Sequence, residues 1–254
     1  MIELQNISAG YGKNLILQDI SVTFEKGKLI SILGVNGCGK STLLKTLLAL
    51  LPLRSGEILL DSTSLHTLSR NEIARKIAYL SQGKTTPDMT VEQMVLHGRF
   101  PHLSYPRRYT KPDYEIASRA MQQMGITDLA HTSLQALSGG MRQNAYLAMA
   151  LAQETDYVLL DEPTTYLDIS HQLTLMDTLR SLARSGKSII AVMHDLPMAL
   201  TFSDQILLLH DGHVICSDTP QQVYASKAIE DIFKVRILRS SDENTYHYQY
   251  ETRT

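Results

Sequence analysis

Gly34-Val35-Asn36-Gly37-Cys38-Gly39-Lys40-Ser41-Thr42 lies between the apolar run Leu29-Ile30-Ser31-Ile32-Leu33 and a leucine-rich segment at residues 43–51. The run predicts a strand and the segment a helix. Strand, glycine-rich turn and Lys-Ser at a helix start make the phosphate-binding loop pattern, with the required spacing from Gly34 to Gly39-Lys40-Ser41. The glycines remove side chains so that backbone N–H groups can close on a polyphosphate. The helix start adds N–H donors and a positive dipole end. Lys40 is expected to reach the β- and γ-phosphates, and the Ser41 hydroxyl to ligate Mg²⁺.

The whole chain sets bounds on what uses this loop. Its 254 residues suffice for one large domain or two small ones. Apolar residues make up 43% and charged residues 20%, enough for a substantial core. A net charge of −2, from 24 basic and 26 acidic residues, speaks against a nucleic-acid surface. Cys38 and Cys216 are the only cysteines, so no disulfide framework is expected and a reducing cytoplasm fits. Met1-Ile2-Glu3-Leu4-Gln5 has neither the basic nor the apolar region of a signal peptide. No apolar run approaches the roughly 18 residues that span a bilayer. A membrane role is therefore expected only through a partner.

Outward from the loop, short strand-like runs at residues 2–4, 15–17, 20–24 and 29–33 form a β-rich opening. Further strands are expected at 57–61 and 77–81, the latter delivering Gln82 at its end, with a short helix at 69–76 between them. Residues 90–152 read as mostly helical. Thr90 with Gln93 forms a capping box, and helices are expected at 114–124 and 140–153 around an irregular piece at 99–112. Strands then alternate with helices: 157–162, 171–184, 188–193, 197–201, 205–209 and 214–216. That alternation predicts an α/β fold with a mainly parallel sheet. The tail is expected to hold one helix at 226–234 and an edge strand at 246–250.

Two more motifs carry chemistry. Tyr157-Val158-Leu159-Leu160-Asp161-Glu162 reads as a buried strand that delivers its carboxylates at the C-terminal end, where α/β sheets bind ligands. Asp161 suits a Mg²⁺ ligand, and Glu162 a base for an attacking water. Leu137-Ser138-Gly139-Gly140-Met141-Arg142-Gln143 is a second anion site at a helix start. One nucleotide needs only one such cradle per chain, so the second has no obvious use within a single copy.

Together the phosphate loop, Leu-Ser-Gly-Gly and Leu-Leu-Asp-Glu-Pro resemble the ATP-binding subunits of ABC transporters over roughly residues 1–220. The Leu-Ser-Gly-Gly segment discriminates, because the other two motifs occur across P-loop NTPases. The resemblance implies a RecA-like P-loop core at residues 1–86 and 154–218, with an N-terminal antiparallel β-subdomain. It also implies a helical subdomain at 87–153 and a tail at 219–254. ATP would lie between Gly34, Asn36, Gly37, Cys38, Gly39, Lys40, Ser41 and Thr42 of one copy and Ser138, Gly139 and Gly140 of a second. Tyr11 would stack on adenine, Gln82 would sense Mg²⁺ and water, Asp168 would join the two copies, and His194 would contact the γ-phosphate and steady Glu162. Ser41, Gln82 and Asp161 would form the metal side of the site.

The same resemblance implies a homodimer on two integral-membrane permease subunits at the cytoplasmic face, fed indirectly by a substrate-binding protein. The loop, Gly98-Arg99-Phe100-Pro101 and residues 163–169 are most similar to importers of iron–siderophore, ferric citrate, haem and cobalamin. Arg99 is a candidate for docking the permease. The alternative from another class is a soluble ABC ATPase acting on DNA or ribosomes. Two departures stand out: the family usually has Gln where Met141 stands and a basic residue where Asn144 stands. Gly83-Lys84-Thr85 imitates the end of a phosphate loop without its upstream glycine. His97 with His102, and His210 with His213, lack metal-ligand neighbours and read as solvated loop residues.

Overall fold

The computed structural model describes residues 1–81, 86–242 and 245–252, the side chains of 241, 242, 245–247 and 252 excepted. Backbone contacts divide the chain into two units, residues 1–69 with 176–254, and residues 70–175.

The first unit opens with the antiparallel pair β1 (Ile2–Tyr11) and β2 (Asn14–Phe24), Ile2 opposite Phe24 and Tyr11 opposite Asn14. The sequence predicts two separate runs within residues 15–24, but β2 is continuous. Asp19 and Asn6 both take positive φ (51° and 49°), and Asn6 Nδ2 donates to Asp19 Oδ1 at 2.8 Å. A local bulge thus absorbs the polar residues without ending the strand. β3 (Leu29–Leu33) is buried at every position and feeds α1 (Lys40–Leu47), which is shorter than the leucine pattern suggests. β4 (Leu53–Leu60) and β5 (Thr63–Ser64) complete an antiparallel sheet of order β2-β1-β4-β5.

In the second unit α2 (Arg70–Lys76) leads into β6 (Ile77–Leu80). The helices α3 (Val91–His97), α4 (Lys111–Gln123) and α5 (Gly139–Ala152) follow and pack on one another. The expected capping box starts α3: Gln93 N donates to Thr90 Oγ1 at 3.3 Å, and Thr90 N to Gln93 Oε1 at 2.9 Å. β7 (Tyr157–Asp161) runs parallel to β6, with Ile77 beside Tyr157.

Arg99 does not sit on an exposed docking surface. It is 6% exposed; its Nε donates to Asp113 Oδ1 at 3.1 Å, and its guanidinium reaches the Ala152 carbonyl at 2.8 Å and Glu154 Oε2 at 2.9 Å. It ties the ends of α3, α4 and α5 together. Burial pushes the Asp113 carboxyl up, yet hydrogen bonds from Thr110 and Arg99 outweigh this and hold it below the usual carboxylate range.

α6 (Ile169–Arg184) begins in the second unit and returns the chain to the first. There β8 (Ser188–Val192), α7 (Leu196–Phe202), β9 (Gln205–His210) and β10 (His213–Asp218) follow. β3 lies between β8 and β9, parallel to both, while β10 is antiparallel to β9. Ser31, the one hydroxyl in β3, meets Ser203 Oγ at 2.7 Å, which satisfies a polar group in an apolar layer. The fold class is α/β as expected.

The tail differs from expectation. The helix expected at 226–234 is α9 (Ala228–Phe233), and a further short helix not expected from the sequence, α8 (Pro220–Ala225), precedes it, the two divided at Lys227 with φ 63°. The expected edge strand is β12 (Thr245–Thr252), paired antiparallel with β11 (Val235–Asp242).

Candidate nucleotide-binding and hydrolysis site

In the first unit the phosphate loop follows the end of β3. Gly39 precedes α1 with φ 111°, and a Cβ there would stand 2.8 Å from Leu17 Cδ2. Only glycine makes that turn without strain. Leu43 N donates to Gly39 O at 2.8 Å, so the helix starts at the loop and its first N–H groups face the turn. Lys40 is 7% exposed, and its ammonium donates to the carbonyls of Gly34 at 2.7 Å and Val35 at 3.0 Å. Cys38 is buried, and burial pushes its thiol pKa up against the opposing influence of Lys40, so this thiol is not activated. Asn36, Gly37 and Ser41 are exposed, while Thr42 turns into the core.

Tyr11 ends β1 and is 47% exposed, and Lys45 of α1 lies 5.8 Å from its ring centroid. The strand end thus presents an aromatic face beside the helix that carries the loop. His194 follows β8 and is exposed directly after six buried residues, where Asp195 caps α7 by accepting from Met198 N at 2.8 Å.

In the second unit Asp161 closes β7 with 7% exposure. Tyr79 Oη donates to Asp161 Oδ2 at 3.5 Å, and burial, with Asp161 adding to it, pushes that phenol up to about 12. Glu162 takes a left-handed backbone, φ 53°, and accepts from Thr165 Oγ1 at 3.2 Å. A non-glycine residue in this region costs on the order of 1–3 kcal/mol, and such strain clusters where a side chain must be aimed. Glu162 faces a cavity of about 200 Å³ that Asp161, Leu80, Gly139, Gln143 and Tyr166 also line.

Ser138 caps α5, its Oγ accepting from Met141 N at 3.3 Å. The two departures are accounted for separately. Met141 is 45% exposed, and Asn144 donates to the Met124 carbonyl at 3.3 Å, joining α5 to the end of α4. Asp168 precedes α6 and accepts from the His171 backbone at 2.9 Å; these bonds hold its carboxyl below the usual range. Gln82 and Gly83-Lys84-Thr85 lie outside the described residues.

Sequence reasoning did not single out Tyr79, Thr165 or His171. Thr165 and His171 each stand three residues after a carboxylate they contact, a spacing readable in the sequence. Tyr79 reaches Asp161 across two strands, and only the β6–β7 register reveals it.

The ABC transporter family profile matches residues 17–165. The chain belongs to the ABC transporter family. Among its relatives is the ferric enterobactin transport ATP-binding protein FepC of Escherichia coli, 41% identical over 94% of this chain and 89% of FepC. The petrobactin import ATP-binding protein FpuD of Bacillus anthracis is 37% identical over 95% of this chain and 89% of FpuD. A solved inward-facing structure of a metal-chelate type ABC transporter aligns with a TM-score of 0.85 at 26% identity, covering 98% of this chain and 96% of that one. As an ABC ATPase the chain binds and hydrolyses ATP. Among the described residues no helix is long and apolar enough to cross a membrane.

Proposed function

We propose that this chain energises import of iron–siderophore complexes, as a homodimer docked on two membrane permease subunits at the cytoplasmic face. The Glu162 segment carries the catalytic part of this reading: a carboxylate at the end of a buried strand, aimed by a strained backbone into a cavity beside Asp161. Relatives whose names specify ferric enterobactin and petrobactin support the cargo class. They favour import over the soluble DNA- or ribosome-directed alternative. A substrate-binding protein would select the cargo outside the chain described here.

In this reading Lys40 and the N–H groups of residues 34–42 hold the phosphates, and Tyr11 stacks on the adenine. Asp161, Ser41 and Gln82 suit a hard cation such as Mg²⁺, which supplies charge neutralisation when bound. Among the described residues no three His, Cys, Asp or Glu side chains cluster into a metal cage. Mg²⁺ needs none, since it binds through one or two carboxylates, phosphates and water. Glu162 accepts the proton of the attacking water, and His194 steadies it. Ser138, Gly139 and Gly140 meet the γ-phosphate held by the second copy, beside Asp168.

Glu162→Gln tests the assignment. Loss of the base should lower kcat by about 10²–10⁴ with ATP still bound. Cells carrying this variant should lose ferric-siderophore uptake and retain cobalamin uptake. A variant that turns over ATP at the wild-type rate removes Glu162 as the base. Lost cobalamin uptake with intact siderophore uptake reassigns the cargo.

A further inference from the structure

His171 stands where two segments of the second unit meet. Its Nδ1 lies 2.9 and 2.8 Å from the two Asp168 carboxylate oxygens, and its backbone N–H donates to Oδ1 at 2.9 Å. The ring's other edge lies on Gly140: a Cβ built there would be 2.1 Å from His171 Cδ2 and 2.7 Å from Nε2. One neighbouring contact runs the same way, and Gln172 braces the Asp168 segment internally. A Cβ on Gly139 would stand 3.7 Å from the Tyr166 carbonyl oxygen. Gln172 Nε2 donates to the carbonyls of Leu167 at 3.0 Å and Thr164 at 3.3 Å.

Helix capping explains why a carboxylate at 168 accepts the residue-171 N–H. It does not explain an imidazole seated on the first turn of α5. We propose that His171 is a positioning residue that locks the Ser138-Gly139-Gly140 turn to the Asp168 segment. The placement of one then fixes the other. The proposal rests on the reading above of both segments as parts of the ATP site. It also gives Gly140 a specific duty within its own chain: the residue is small enough to seat the imidazole.

A double-variant cycle in the full chain tests this. Alanine is the better helix former, so Gly140→Ala would stabilise α5 if nothing stood above it. With His171 present, Gly140→Ala should lower both Tm and kcat, the latter at least about tenfold. In a His171→Ala background the same change should instead raise Tm, because the imidazole that a Cβ would meet is gone. His171→Ala alone should lower kcat with KM for ATP within about twofold, because the Lys40 loop is untouched. His171→Asn, whose amide can still donate to Asp168, should recover part of that loss. Should His171→Ala not fold, the His171→Asn background carries the same comparison.

An equal cost of Gly140→Ala in both backgrounds overturns the proposal, and so does a raised KM at unchanged kcat. A wild-type chain without ATPase activity would instead defeat the underlying reading of the site, and this role with it.

Discussion

Lys40 is held by the loop it serves, on the carbonyls of Gly34 and Val35. The ammonium is a compact charge with three donors, and in the proposed reading it exchanges these carbonyl oxygens for phosphate oxygens over a short swing. Lys40→Ala removes charge-assisted bonds and should weaken ATP binding by about 10- to 100-fold, read by titration with a fluorescent nucleotide. Lys40→Arg should fare little better, because a planar guanidinium does not fit between two loop carbonyls. The turn and helix start of this loop were legible in the sequence because both are local. The duties of Arg99 and Tyr79 were not. Arg99 meets partners 14, 53 and 55 residues away, and no window of sequence places an arginine under three helix ends.

At the scale of elements the same division holds. β3, β7 and the capped start of α3 followed from apolar runs and a local hydrogen-bond box. β11 did not, because only Val235 and Ile237 alternate with polar or exposed residues before Arg239-Ser240-Ser241 ends the apolar face, and the rest of its strand character comes from pairing with β12. The two short runs read in residues 15–24 proved one strand because Asn6 and Asp19 bulge together, a pairing between elements.

The Arg99 cluster is where this scale allows a measurement. Arg99→Ala would leave Asp113 buried beside a lost partner and should destabilise the chain by about 3–5 kcal/mol in urea unfolding. The Asp113 carboxyl titrates lower folded than unfolded. Its stabilising contribution is therefore present above about pH 4 and is lost as pH falls through the lowered folded value. Between those limits, wild-type stability should fall more steeply with acid than that of Asp113→Asn.

At the scale of the molecule the question is how many copies complete a site. If Ser138 acts on the nucleotide of a second chain, a Glu162→Gln protein should sediment as a dimer with ATP and Mg²⁺. Adding Ser138→Arg to the same chain should return it to a monomer, with the affinity of each copy for ATP unchanged, since the Lys40 loop is intact. Dimers that persist in the double variant would place Ser138 outside the contact. The placement of β3 between β8 and β9 has a further consequence, for synthesis. Leu29–Leu33 leave the ribosome long before the residues that flank them: β9 ends at His210. At about 5–20 residues per second, the strand's four apolar side chains wait roughly 10–35 s for their neighbours. During that interval the nascent chain offers an unpaired, mostly apolar strand, and holding it apart from other chains falls to the cell's chaperones.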